Sequence, residues 1–269
     1  MSFVRAILLV FFALFAFAPL AGHAAMAPWA TTDGGRMRLV ALSQPRNGAV
    51  TALVQIEPKE GWKTYWRNPG NAGMAPELDF SHSSNLTLKS VSYPVPDIGE
   101  DEAGRFIGYH GPVSLIVEFD KPDATAPAEI DLKALVGICD KICLPFIAEF
   151  RLALDPAIPE GEEFAALMMA QAALPERPRA DFAVRSLIKS ADGKSLVADV
   201  LIPEPAKVEA AAAVPRGVVL GKDPTVSVEG RKARITIPVK KIERTGGPHH
   251  ITLLVKSGGR AIETTLALD

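Results

Sequence analysis

Short runs of alternating apolar and polar residues, punctuated by Pro and Gly, fill most of this 269-residue chain. Residues 38–42 and 48–56 are the first two runs, and the Pro45-Arg46-Asn47-Gly48 turn between them predicts a hairpin. Further strands are expected over 86–91, 113–119, 130–137 and 146–154. Alternation at period two gives each strand one face for a core and one for solvent. Short strands at this spacing predict an all-β sandwich.

The period changes once, between Glu160 and Ala173. Phe164, Leu167, Met168 and Gln171 fall at i, i+3, i+4 and i+7, and Glu162 and Glu163 stand where negative charge suits a helix N-terminus. One short amphipathic helix is expected, with the adjacent Met168 and Met169 as packing residues rather than metal ligands. Leu174-Pro175-Glu176-Arg177-Pro178 reads as a linker. Strand alternation resumes over 182–188, 196–202, 218–220, 225–228, 233–239, 251–256 and 262–268, with Asp192-Gly193 and Ser257-Gly258-Gly259 as hairpin turns. The alanine-rich run 208–214 fits a strand edge or a helical turn equally well. The expected fold is all-β: one sandwich over 30–157, a helix and linker over 158–179, and a second sandwich over 180–269.

The first thirty residues change the picture of where the chain works. Arg5 precedes a twelve-residue apolar run from Ala6 to Phe17, broken by Pro19 and followed by Gly22-His23-Ala24 with small residues at −3 and −1. That is the pattern of a cleaved signal peptide over residues 1–24, its core too short for a comfortable membrane span. The expected location is a bacterial periplasm. Loss of Arg5 moves the net charge from −2 to about −3, too near neutral to imply nucleic acid or an anionic membrane as partner. A hydrophobic content of 48% excludes global disorder.

The candidate chemistry lies in the only two cysteines, Cys139-Asp140-Lys141-Ile142-Cys143, followed by Leu144-Pro145. A bridge across so short a loop restricts the unfolded chain by only about 2 kcal/mol, against about 4.7 kcal/mol for a 100-residue loop. A staple placed for stability ties distant strands, and this one does not. Two thiols a few residues apart suit thiol–disulfide exchange, with Lys141 favouring a thiolate and Asp140 opposing it. Spacing alone leaves three readings open: a redox pair, a structural bridge, or Cu(I) held by two soft thiolates. His82, His110, His249, His250 and Met74 form no grouping that adds further metal ligands by sequence, and no cofactor is expected.

Three segments narrow the choice: Gly61-Trp62-Lys63-Thr64-Tyr65-Trp66-Arg67-Asn68-Pro69-Gly70, then Phe106-Ile107-Gly108-Tyr109-His110-Gly111, then Cys139 to Pro145. In this order they resemble the N-terminal periplasmic domain of the DsbD family of thiol–disulfide interchange proteins, closest to its ScsB-like branch. The resemblance covers residues 30–157 and, more loosely, the second sandwich. It implies immunoglobulin-like sandwiches, the cysteine pair on facing strands, and a mobile cap. It also implies electron transfer between a membrane-embedded donor and thioredoxin-fold periplasmic oxidoreductases, including those of cytochrome c maturation or copper handling. Carried over by position, Cys139 and Cys143 are the redox pair, with Cys143 forming mixed disulfides. Tyr65 lines the pair, and Phe106 and Tyr109 compete for the shielding role in the cap. Full-length members continue into a multi-span membrane domain and a thioredoxin-like domain. This chain stops at Asp269, so a free-standing or truncated version is expected.

Overall fold

The computed structural model describes residues 26–42, 48–70, 73–102, 104–154, 161–215, 218–221, 223–242 and 250–268. The expected signal peptide, Pro45 to Asn47 of the first hairpin turn, and His249 lie outside the described residues. In chain order the first half contains β1 (Ala30–Thr32), β2 (Gly35–Ala41), β3 (Ala49–Pro58), β4 (Thr64–Gly70), β5 (Glu77–Asp79) and β6 (Thr87–Ser92). It continues with β7 (Asp97–Asp101), β8 (Gly104–Tyr109), β9 (Val113–Asp120), β10 (Ala128–Cys139) and β11 (Cys143–Leu154). Helix α1 (Glu162–Ala172) follows. The second half contains β12 (Ala183–Lys189), β13 (Ser195–Leu201), β14 (Val208–Ala213), β15 (Val218–Leu220) and β16 (Thr225–Glu229). It ends with β17 (Lys232–Ile242), β18 (His250–Ser257) and β19 (Arg260–Ala267).

The first sandwich stacks a sheet in the order β1-β2-β3-β9-β6 on a sheet β11-β10-β5. Burial on β11 alternates strictly from Phe146 onward, with Phe146, Ala148, Phe150 and Leu152 turned inward. They join Ile130, Leu132, Ala134 and Val136 of β10 and Leu39, Val54, Leu115 and Val117 of the facing sheet in one core. Phe80 meets Phe119 there edge to face, with ring centroids 5.1 Å apart. The second sandwich stacks β12-β13-β17-β15, with β16 also on β17, against β14-β18-β19. Its core contains Ala198, Val200, Ile235, Ile237, Leu253 and Val255.

The alanine-rich run is a strand, β14, and it is buried on both faces. Ala210 and Ala212 face the second core, while Ala211 and Ala213 face the first, together with Leu254 and Ala261. A strand covered on both sides has no polar alternation to show, which is why its sequence is ambiguous.

Helix α1 packs Leu167 and Ala170 on Val40, Leu42, Leu53 and Ile116, the outer face of the large sheet. Its inward stripe is Glu163, Leu167 and Ala170, not the expected Phe164, Leu167, Met168 and Gln171. Met168 and Met169 are exposed, which corrects the expectation that they pack. The rotation has a physical cause. The Glu163 carboxylate accepts the Gly161 N–H at 2.9 Å, which satisfies a terminal donor and turns that residue inward. The expected linker is pinned as well: Glu176 donates its N–H to Ala261 O at 2.8 Å, and Val95 donates to Ala173 O at 2.9 Å.

Candidate redox site

Strands β10 and β11 form one long hairpin that ends with Cys139 opposite Cys143. Both backbone groups of Cys139 are used on its other side: its N–H donates to Lys63 O at 2.9 Å, and its carbonyl accepts the Lys63 N–H at 2.8 Å. Cys139 therefore meets Cys143 as a non-hydrogen-bonded pair, the arrangement that brings cross-strand side chains closest. The two Cα atoms are 4.1 Å apart and the sulfurs are joined in a disulfide. Asp140, Lys141 and Ile142 close the hairpin outside the strands, all three exposed.

The two sulfurs have unequal surroundings. Cys139 is 1% exposed and forms a small apolar cluster with Tyr65 and Phe106, whereas Cys143 is an exposed residue. Tyr65 projects from β4 with its hydroxyl 3.8 Å from Cys143 Sγ. Burial, and secondarily the negative charge of Asp101, raise the Tyr65 pKa, so the hydroxyl stays protonated. A disulfide sulfur carries no proton, so the hydroxyl is the donor of this long contact. Glycine makes room for the ring: a Cβ on Gly73 would lie 2.3 Å from it.

Phe106 comes from β8, in a sheet of order β4-β8-β7. Its ring lies across β7, where a Cβ on Gly99 would stand 2.6 Å from Cζ. His110 meets it edge to face at 4.9 Å, and Lys63 Nζ is 5.3 Å from the ring centroid. The same ammonium pairs with Asp101 at 2.6 Å, joining the tip of the β7–β8 hairpin to the strand that flanks Cys139. Tyr109 is placed elsewhere. It packs in the core of the first sandwich and donates its hydroxyl to Pro94 O at 2.9 Å, and burial raises its pKa far above the ordinary value.

The remaining motif residues hold the frame. Trp66 is fully buried in the first core and Trp62 packs against it. Arg67, open in sequence between a solvated charge and an anchor, pairs with Glu263 at 2.8 Å and lies over the Tyr93 ring at 4.5 Å. Sequence reasoning missed Lys63 and Asp101. The available signal was the position of Lys63 inside the aromatic segment, since Asp101 looks like any solvated acid in Glu100-Asp101-Glu102. Among the described residues, no three His, Cys, Asp or Glu side chains converge on a metal-sized site.

The fold is an immunoglobulin-like antiparallel sandwich that holds a disulfide between one covered and one open cysteine. Residues 37–155 match the family described as thiol:disulfide interchange protein DsbD, N-terminal. The fold is similar to the crystal structure of the N-terminal periplasmic domain of ScsB from Proteus mirabilis, at a TM-score of 0.65 and 19% identity. That alignment covers 91% of this chain and 98% of the other, so it includes the second sandwich. A marsupial T cell receptor chain aligns over 88% of this chain and 98% of its own at 9% identity, but its TM-score of 0.21 carries no structural relation. No curated protein sequence matches. Among the described residues, no helix is long and apolar enough to cross a membrane.

Proposed function

We propose that this chain is a periplasmic thiol–disulfide exchange module that passes two electrons through Cys139 and Cys143 to or from thioredoxin-fold oxidoreductases. The observation that carries this is the asymmetry of the pair: Cys143 is exposed while Cys139 is sealed under Phe106 and Tyr65. An attacking thiolate needs an accessible sulfur and a good leaving group behind it. A partner thiolate attacks Cys143 Sγ, the bond to Cys139 breaks, and Cys139 leaves as a thiolate that takes up a proton. The partner's second thiolate then attacks the mixed disulfide, releasing reduced Cys143 and an oxidised partner. In the reverse direction the Cys143 thiolate attacks a partner disulfide and Cys139 resolves the adduct.

Phe106 acts as the shield in this scheme: attack falls on the exposed Cys143, but Cys139 can leave as a thiolate and take up a proton only when a docking partner displaces the ring. Tyr65 lines the pair and donates to the Cys143 thiolate. The export pattern of residues 1–24 supports a periplasmic location. Cys139→Ser should trap a disulfide-linked adduct with a thioredoxin-fold client, and Cys143→Ser should give none, read by non-reducing gels and mass spectrometry. If Cys139→Ser forms no adduct with any oxidised thioredoxin-fold protein, the exchange function is lost.

A further inference from the structure

The β7–β8 hairpin has two faces with different attachments. Alternation along β8 turns Phe106 toward the disulfide, while Ile107 and Tyr109 on the opposite face enter the first core. Arg105 shares that opposite face and leaves the first sandwich altogether. Its Nη2 donates to Ala210 O at 3.2 Å, and its Nε lies 3.2 Å from Asp223 Oδ1, an ion pair rather than an aligned hydrogen bond. Both partners belong to the second sandwich, Ala210 on β14 and Asp223 just before β16.

Neighbouring contacts reinforce this attachment. Lys256 of β18 donates to Pro96 O at 2.9 Å, at the start of the hairpin. On β4 the ladder skips from Tyr65 to Gly70, and the displaced Asn68 donates to Ala212 O at 2.5 Å. The small sheet bearing Tyr65 and Phe106 is thus fastened to the second sandwich at each of its three strands or their approaches. Arg105 is the fastening nearest the shield, one residue from Phe106, and it follows Gly104, which sits at φ +116°.

We propose that the second sandwich is a backing plate for the shield and that Arg105 is its latch, a positioning residue that restrains β8 and sets how often Phe106 uncovers Cys139. This rests on the exchange function proposed above. A partner that displaces Phe106 must bend β8 at Gly104 and loosen Arg105 from Ala210 and Asp223, so docking on the second sandwich can prime the disulfide.

The test is the rate at which dithiothreitol reduces the disulfide in the full chain, for wild type, Arg105→Ala, Arg105→Lys, Asp223→Asn and Phe106→Ala. Losing a partly exposed ion pair with one backbone hydrogen bond should raise the rate roughly fivefold in Arg105→Ala. Asp223→Asn should give a smaller rise, and Arg105→Lys should return toward wild type. Added salt should accelerate wild type but not Arg105→Ala, a response that a merely structural arginine would not produce. Wild-type rates in both Arg105→Ala and Asp223→Asn, beside a fast Phe106→Ala, would overturn the latch and leave the shield standing. If Phe106→Ala is also unchanged, nothing is being shielded, and the latch falls together with the shield.

Discussion

A tyrosine hydroxyl 3.8 Å from an exposed sulfur acts differently in the two redox states. Toward the disulfide it makes a weak contact. Toward a Cys143 thiolate it becomes a donor to a charge, an interaction of about 1.5 kcal/mol, or roughly a factor of ten. Tyr65→Phe keeps the ring in its slot and removes only that donor. Reduced Tyr65→Phe should therefore alkylate Cys143 with its pH midpoint moved upward, and its exchange rate at neutral pH should fall about tenfold. Alkylation by iodoacetamide followed across pH would settle it, and an unmoved midpoint would remove Tyr65 from the chemistry. The cysteine pair and Tyr65 were legible in sequence because rare residue types stand in a recognisable segment. Lys63 and Asp101 were not, since charged residues in strands are ordinarily solvated and only the fold brings these two to 2.6 Å.

At the scale of elements, long alternating strands were readable and short functional ones were not. Strands β3, β9, β13 and β18 run for seven residues or more, with β13 alternating strictly and the others alternating at their ends around a buried centre, and the structure places them where the sequence does. The sheet β4-β8-β7 escaped notice because Pro69, Gly70, Gly99, Gly104 and Gly108 interrupt its pattern and look like loop residues. The expected cap loop is in fact one strand of a hairpin, and this changes how it can move. A loop drifts, whereas a hairpin must bend or swing as a unit. Gly99 is where this can be tested without touching either cysteine. A methyl group there would stand 2.6 Å from the Phe106 ring, so Gly99→Ala should push the ring off its seat. The disulfide should then be reduced faster, though by less than when the ring is removed in Phe106→Ala. Equal rates for Gly99→Ala and wild type would mean that the ring's position over β7 is irrelevant to access.

At the scale of the whole molecule, the expected linker proves to be a joint. Arg260 holds both Glu176 carboxylate oxygens, at 2.7 and 2.8 Å, and Asp181 at 2.6 Å, while lying over the Phe182 ring at 5.5 Å. Glu176 also pairs by its backbone with β19, so the chain leaving α1 is fixed to the second sandwich on arrival. The hydrogen bonds from Arg260 hold both carboxyls below their usual range. A carboxyl whose pKa is lowered on folding stabilises the native state above the unfolded value, and that contribution disappears as pH falls through the folded value. The guanidinium stays charged throughout, so the carboxylates alone decide the pH window. Thermal melts between pH 7 and pH 3 should therefore show Arg260→Gln less stable than wild type at neutral pH. The gap should begin to narrow below about pH 4, the unfolded value, and keep narrowing as pH falls toward the lowered folded values. Because all three side chains are partly exposed, added salt should shrink the neutral-pH gap. Melting curves that stay parallel down to pH 3 would show that the joint is held by its backbone bonds and by packing on Phe182, with the charges contributing nothing.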